Sequence, residues 1–197
     1  MTLTQDAGCG RRCIRLALCF LAALALAVSG CVPKLSIEWS PMPREIRLVE
    51  GVSGYVQDRY QCGPSALASV IGYWRGRGLS SAYADADTIG RDIYSKSARG
   101  VLGMDLLFYA QRLGFDAIQT KGGIEELRKL IDDETPAIIL VDYGAGSYQI
   151  NHFMVAFGYS DEGFVVHSGT GVRHITEKEL QRIWERAGYW TLVVKPW

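Results

Sequence analysis

An apolar stripe that begins on a cysteine constrains this chain more than any other feature. Ala66, Leu67, Val70, Ile71 and Trp74 recur at the helical period and predict an amphipathic helix whose first residue is Cys62. Pro64 suits the first turn, where its missing N–H costs nothing, and Gly76 and Gly78 supply the stop. The first-turn amides and the positive end of the helix dipole would face the Cys62 sulfur and favour thiolate over thiol. Polar Gln61 and permissive Gly63 flank it, so a reactive cysteine is the better reading than a buried structural one.

That reading depends on the N-terminus. Arg11 and Arg12 precede an apolar run from Ile14 to Val28, broken only by Arg15, then Val28-Ser29-Gly30-Cys31. This is the order of a secretory signal, and the run is short for a span of about 20 residues. The ending looks like a bacterial lipobox, which implies a signal peptide over 1–30 and Cys31 as the lipidated first residue of the mature protein. Val32, not an acidic residue, follows it, and the resemblance then points to an outer membrane facing the periplasm. The mature chain would run from 31 to 197, enough for one domain with a real core. Cys9, Cys13 and Cys19 leave with the signal and Cys31 is blocked, so Cys62 is the one free thiol and no disulfide is expected. The mature chain carries 18 basic and 20 acidic residues, a balance that gives no reason to expect nucleic acid.

Residues 31–50, with Pro33, Pro41 and Pro43, read as the lipidated cysteine and a tether, turning into an edge strand near Ile46 to Val49. The domain proper is expected over 51–197. Asp87 or Thr88 caps a short helix reaching about Tyr94. A Gly100 to Met104 turn opens a helix from Asp105 to Leu113, with Met104, Phe108 and Tyr109 expected in the core. Phe115 to Gln119 reads as a strand and Ile124 to Ile131 as a helix. From Pro136 strands dominate: Ala137 to Val141, then His152 to Tyr159, then Phe164 to Val166 returning as a hairpin. Thr176 and Glu179 form a capping box ahead of a helix over Glu177 to Arg186, and Tyr189 to Val194 closes the sheet. Helices first and an antiparallel sheet afterwards predict a segregated α+β fold.

A thiolate nucleophile needs a base within reach and donors for the developing oxyanion. His152 stands where a polar loop meets a buried strand and is the leading candidate. His167 ends the hairpin strand opposite it, a position that would set it near the site, whereas His174 sits in a polar turn and reads as surface. No short ligand spacing joins Cys62, His152, His167 and His174, so neither a metal nor any other cofactor is expected.

The stretch Gln57-x4-Cys62-Gly63-Pro64-x-Ala66-Leu67, followed about 90 residues later by Asn151-His152-Phe-x-Val-x-x-Gly158-Tyr159, resembles the papain-like double-glycine leader peptidases. The likeness covers most of residues 50 to 170. It implies a papain-like fold, Cys62 as nucleophile, His152 as general base and acid, and Gln57 as an oxyanion-hole donor beside the Cys62 N–H, with Gln61 the neighbouring alternative. The family places an Asp on the strand after the histidine to orient its ring; here that place reads Val166-His167-Ser168-Gly169. Either Ser168, His167 or a backbone carbonyl holds the ring, or Asn151 or Asp142 substitutes, or the site has become a binding cleft. Asp161 lies in the turn at the far end of the hairpin. The His-Ser-Gly run, with His174 and the segment Trp184 to Trp190, resembles exported stand-alone members of the superfamily.

The expected activity is that of an envelope-anchored cysteine peptidase on a peptide or protein substrate, with Gly-Gly cleavage implied by the relatives alone. Nothing resembles a P-loop, so an export ATPase is not expected in this chain. The alternatives are a catalytically weak papain-like module that binds a peptide or polysaccharide, and a cell-wall amidase or acyltransferase using the same pair.

Overall fold

The computed structural model describes residues 36–54, 61–169 and 171–197, within a compact unit that runs from Leu35 to Trp197. Cys31 and Gln57 lie outside the described residues. The helix that starts on the cysteine is α1, Cys62–Gly76, with Pro64 in its first turn and Gly78 at φ +71° just beyond its end. Its stripe is buried, and Trp74 adds a hydrogen bond from Nε1 to the Val194 carbonyl at 2.8 Å. Helix α2, Ala86–Ile93, is capped by Asp85, whose side chain accepts from Thr88 N, two residues ahead of the Asp87 expected there. Helix α3, Gly103–Arg112, strand β2, Phe115–Lys121, and helix α4, Ile124–Asp132, complete the first half after a short strand β1, Arg47–Leu48.

The second half is β3, Ala137–Asp142; β4, Asn151–Tyr159; β5, Gly163–Ser168; β6, Gly171–Thr176; helix α5, Glu177–Glu185; and β7, Trp190–Pro196. All strands join one antiparallel sheet in the order β2-β7-β3-β4-β5-β6, with β1 added beside the end of β4. Strands β3 and β4 are buried almost along their length, so helices cover both faces of the sheet. The Thr176 cap on α5 is in place, its hydroxyl accepting from Glu179 N at 3.3 Å.

Other expectations change as well. Strand β6 occupies the stretch read as a polar turn, and its His174 is 1% exposed: Nδ1 meets Ser40 Oγ at 2.7 Å and Nε2 meets Ser160 Oγ at 3.1 Å. Part of the expected tether is tied down, with Ser40 N donating to the His174 carbonyl and Glu38 N to Glu179, while the edge strand expected near Ile46 to Val49 is present as β1. Met104 and Phe108 are 44% and 57% exposed, because α3 turns Leu106, Leu107, Tyr109 and Ala110 inward instead. The thiol's surroundings, described next, also reverse the expected direction of its acidity.

Candidate active site

Cys62 sits at the first residue of α1 with its side chain largely withdrawn from water. Gly63 is required behind it: a Cβ there would run into Val101 Cγ2 and stand 3.1 Å from Phe153 Cδ2. The missing side chain lets α1 press onto β4. Burial pushes the Cys62 thiol up from its ordinary value, and the N–H groups of Phe153, Gly63 and Cys62 itself pull it back only in part. The helix start therefore acts in the expected sense, but desolvation outweighs it.

Phe153, whose amide reaches the sulfur, follows His152 at the start of β4. The helix and strand thus bring thiol and imidazole into one neighbourhood. Burial alone holds His152 down to about 4. Its Nε2 lies 3.0 Å from Ser168 Oγ at the end of β5. The tautomer in which Nε2–H donates to the serine leaves Nδ1 as the basic nitrogen. Thiol and imidazole are both neutral in the substrate-free chain, so the arrangement suits proton transfer during attack rather than a standing ion pair.

His167 is turned elsewhere. Its ring stacks on Phe157 at 4.8 Å between centroids, and Nε2 lies 3.3 Å from the Val52 carbonyl oxygen. Its neighbour along β5, Ser168, is the residue at His152. Asp142 is committed to the loop between β3 and β4, accepting from Gly144 N and Ile150 N at 2.8 Å each and from Arg186 Nη2 at 3.0 Å. Burial raises its carboxyl, but the Ile150 and Gly144 amides and the Arg186 guanidinium together hold it below the usual range. Asn151 faces Asp142 across the β3–β4 ladder. Gln61 donates to Asp87 at 2.8 Å.

Two residues of the site were not anticipated. Tyr143, one residue beyond β3, packs edge-on to the His152 ring at 6.5 Å, and its phenol is raised by burial and, once the thiol ionises, by Cys62. Trp39, with Ile37, lines a cleft of about 230 Å³ shared with Tyr143, His152, Ser168 and Arg173. For Trp39 a signal was present, an isolated tryptophan being out of place in a solvated tether, whereas the placement of Tyr143 near His152 follows from a β3–β4 register that the sequence does not show.

Residues 49–191 match the model of the Peptidase_C39 like family. The chain belongs to this C39-like peptidase family. The fold is shared with solved C39 domains. The peptidase domain of Streptococcus ComA, a bifunctional ABC transporter involved in quorum sensing, is 19% identical, covers 74% of this chain and 99% of its own, and superposes with a TM-score of 0.59. A putative C39-like peptidase from Bacillus anthracis gives 16% identity, 76% and 97% coverage and a TM-score of 0.62. A double-glycine motif protease from an AMS/PCAT transporter, solved with its leader peptide, gives 20%, 78% and 100%, and 0.56. No curated protein sequence matches this C39-like chain. The fold is therefore the papain-like α+β fold of C39 domains, and the chain is a cysteine-peptidase-like module.

Proposed function

We propose that this C39-like domain is an active cysteine peptidase held at the cell envelope by lipid on Cys31. The observation that carries the reading is the joining of Cys62, at the head of α1, to the start of β4 through the Phe153 amide, next to His152, whose Nε2 is held by Ser168. In the reaction, His152 takes the thiol proton as Sγ attacks the peptide carbonyl. It passes that proton to the departing amine as the C–N bond breaks, leaving an acyl-enzyme on Cys62 that water then hydrolyses. The N–H groups around the sulfur, with Gln57 as the proposed partner donor, would stabilise the oxyanion. A solved structural relative holds a leader peptide, which supports a peptide substrate, and cleavage after Gly-Gly is the specificity we assign. The lipobox-like Cys31 supports an outer-membrane position facing the periplasm. A binding module is the second reading, favoured by the raised thiol and by a serine where an acid would share the imidazolium charge.

Turnover of acetyl-Gly-Gly methyl ester by the purified protein separates the two. A peptidase releases methanol, loses all turnover in Cys62→Ala, and slows by about 10² to 10⁴ in His152→Ala. Release that is equally slow in wild type and His152→Ala would assign the cleft to binding.

A further inference from the structure

The cleft beside His152 contains the general acid of the proposed reaction but is not lined by the nucleophile. Tyr143 lines the cleft and packs edge-on to the His152 ring at 6.5 Å. The acid protonates the departing amine, so a pocket built around it lies on the leaving-group side of the scissile bond. Its outer wall comes from Ile37 and Trp39, which precede the span matched by the family, residues 49–191. That wall is fixed in place: Ser40 is tied through backbone and side chain to His174, Glu38 N donates to Glu179, and Ile37 packs on the core.

We propose, on the peptidase reading, that Trp39 and Ile37 form a specificity pocket for the residue that follows the scissile bond, and that this pocket takes a large apolar or aromatic side chain. Three of its walls are apolar or aromatic, Ile37, Trp39 and Tyr143. Its volume, about 230 Å³, falls below the range of about 300 Å³ and more typical of whole-ligand sites and suits a single side chain.

Partitioning of the acyl-enzyme reads this pocket directly. With acetyl-Gly-Gly methyl ester as donor, Cys62 becomes the acetyl-diglycyl thioester and methanol leaves. An added amino-acid amide then competes with water: its nitrogen attacks the thioester carbonyl, the C–S bond breaks, and His152 carries the N–H proton back to Sγ. Phenylalaninamide is expected to give at least fivefold more peptide product relative to hydrolysis than glycinamide or lysinamide at equal concentration. Trp39→Ala is expected to abolish that preference, read as the ratio of peptide product to hydrolysis within the one variant. Trp39→Phe, which keeps an aromatic wall, should retain most of it. Methanol release with no preference among the amides, or a preference untouched by Trp39→Ala, overturns the pocket and leaves the peptidase standing. Absence of any Cys62-dependent release overturns both.

Discussion

At His152 the two ring nitrogens meet different surroundings, and the difference sets what the site can do at rest. Nε2 is tied to Ser168 Oγ, a neutral partner that orients the ring without sharing its charge. Burial then has no opponent, and the imidazole is held down to about 4 while the Cys62 thiol is pushed up. Replacing Ser168 by aspartate adds a carboxylate beside the ring. We expect Ser168→Asp to raise the His152 titration by at least one unit, followed by imidazole NMR, and to speed alkylation of Cys62 by iodoacetamide at pH 7. Ser168→Ala should do neither and should lower ester turnover. An unmoved titration in Ser168→Asp would mean that the serine does not face the ring in solution.

On the scale of elements, the loop between β3 and β4 shows how a carboxylate serves a site without touching it. Asp142 is 1% exposed and gathers Gly144, Ile150 and Arg186, which fixes the turn that carries Tyr143. Asp142→Ala leaves the Arg186 charge partly buried without its partner, and we expect a loss of about 3 kcal/mol in urea unfolding. A loss under about 1 kcal/mol would show the loop to be held by its neighbours instead. Elements with strong internal periodicity were legible in the sequence: α1, α4, β3 and the β4–β5 hairpin fall within a residue or two of where pattern places them. Strand β6 was not, because Gly-Val-Arg-His has no alternation and is a strand only through its ladder with β5. His174 looked superficial for the same reason, its two serine partners lying 134 and 14 residues away. Of the candidate site, Cys62 and His152 stood out by motif and position, whereas Ser168 was one of several residues the sequence left open as the partner of the ring. The acidity of the thiol was not, since the helix start is visible in sequence and the depth of burial is not.

For the whole molecule, the three histidines add up to one pH dependence. His152, His167 and His174 are each held below their ordinary value by burial, although carbonyls and Glu162 oppose this at the last two. A histidine that charges readily only when unfolded binds more protons in the unfolded state, so stability falls as pH drops below about 6.5. His152 alone, with its folded value near 4, removes about 3 kcal/mol across that window. Asp142 acts lower still: its folded value lies beneath the ordinary 3.8, so its contribution is complete above that pH and drains away only as acid reaches the folded value. The melting temperature should be flat from pH 8 to about 7 and fall steadily towards pH 4.5, with a shallower fall in His152→Gln. A melting temperature that rises on acidification would contradict the buried, neutral histidines.

The clasp between Ser40 and His174 also bears on how copies of this protein coexist. Strand β6 ends the sheet, and an uncovered terminal strand offers its amides and carbonyls to any extended chain that meets it. By giving its N–H to the His174 carbonyl at 2.9 Å, Ser40 occupies that ladder position with the molecule's own backbone. The segment that carries Trp39 to the cleft thus also guards the sheet against edge-to-edge stacking.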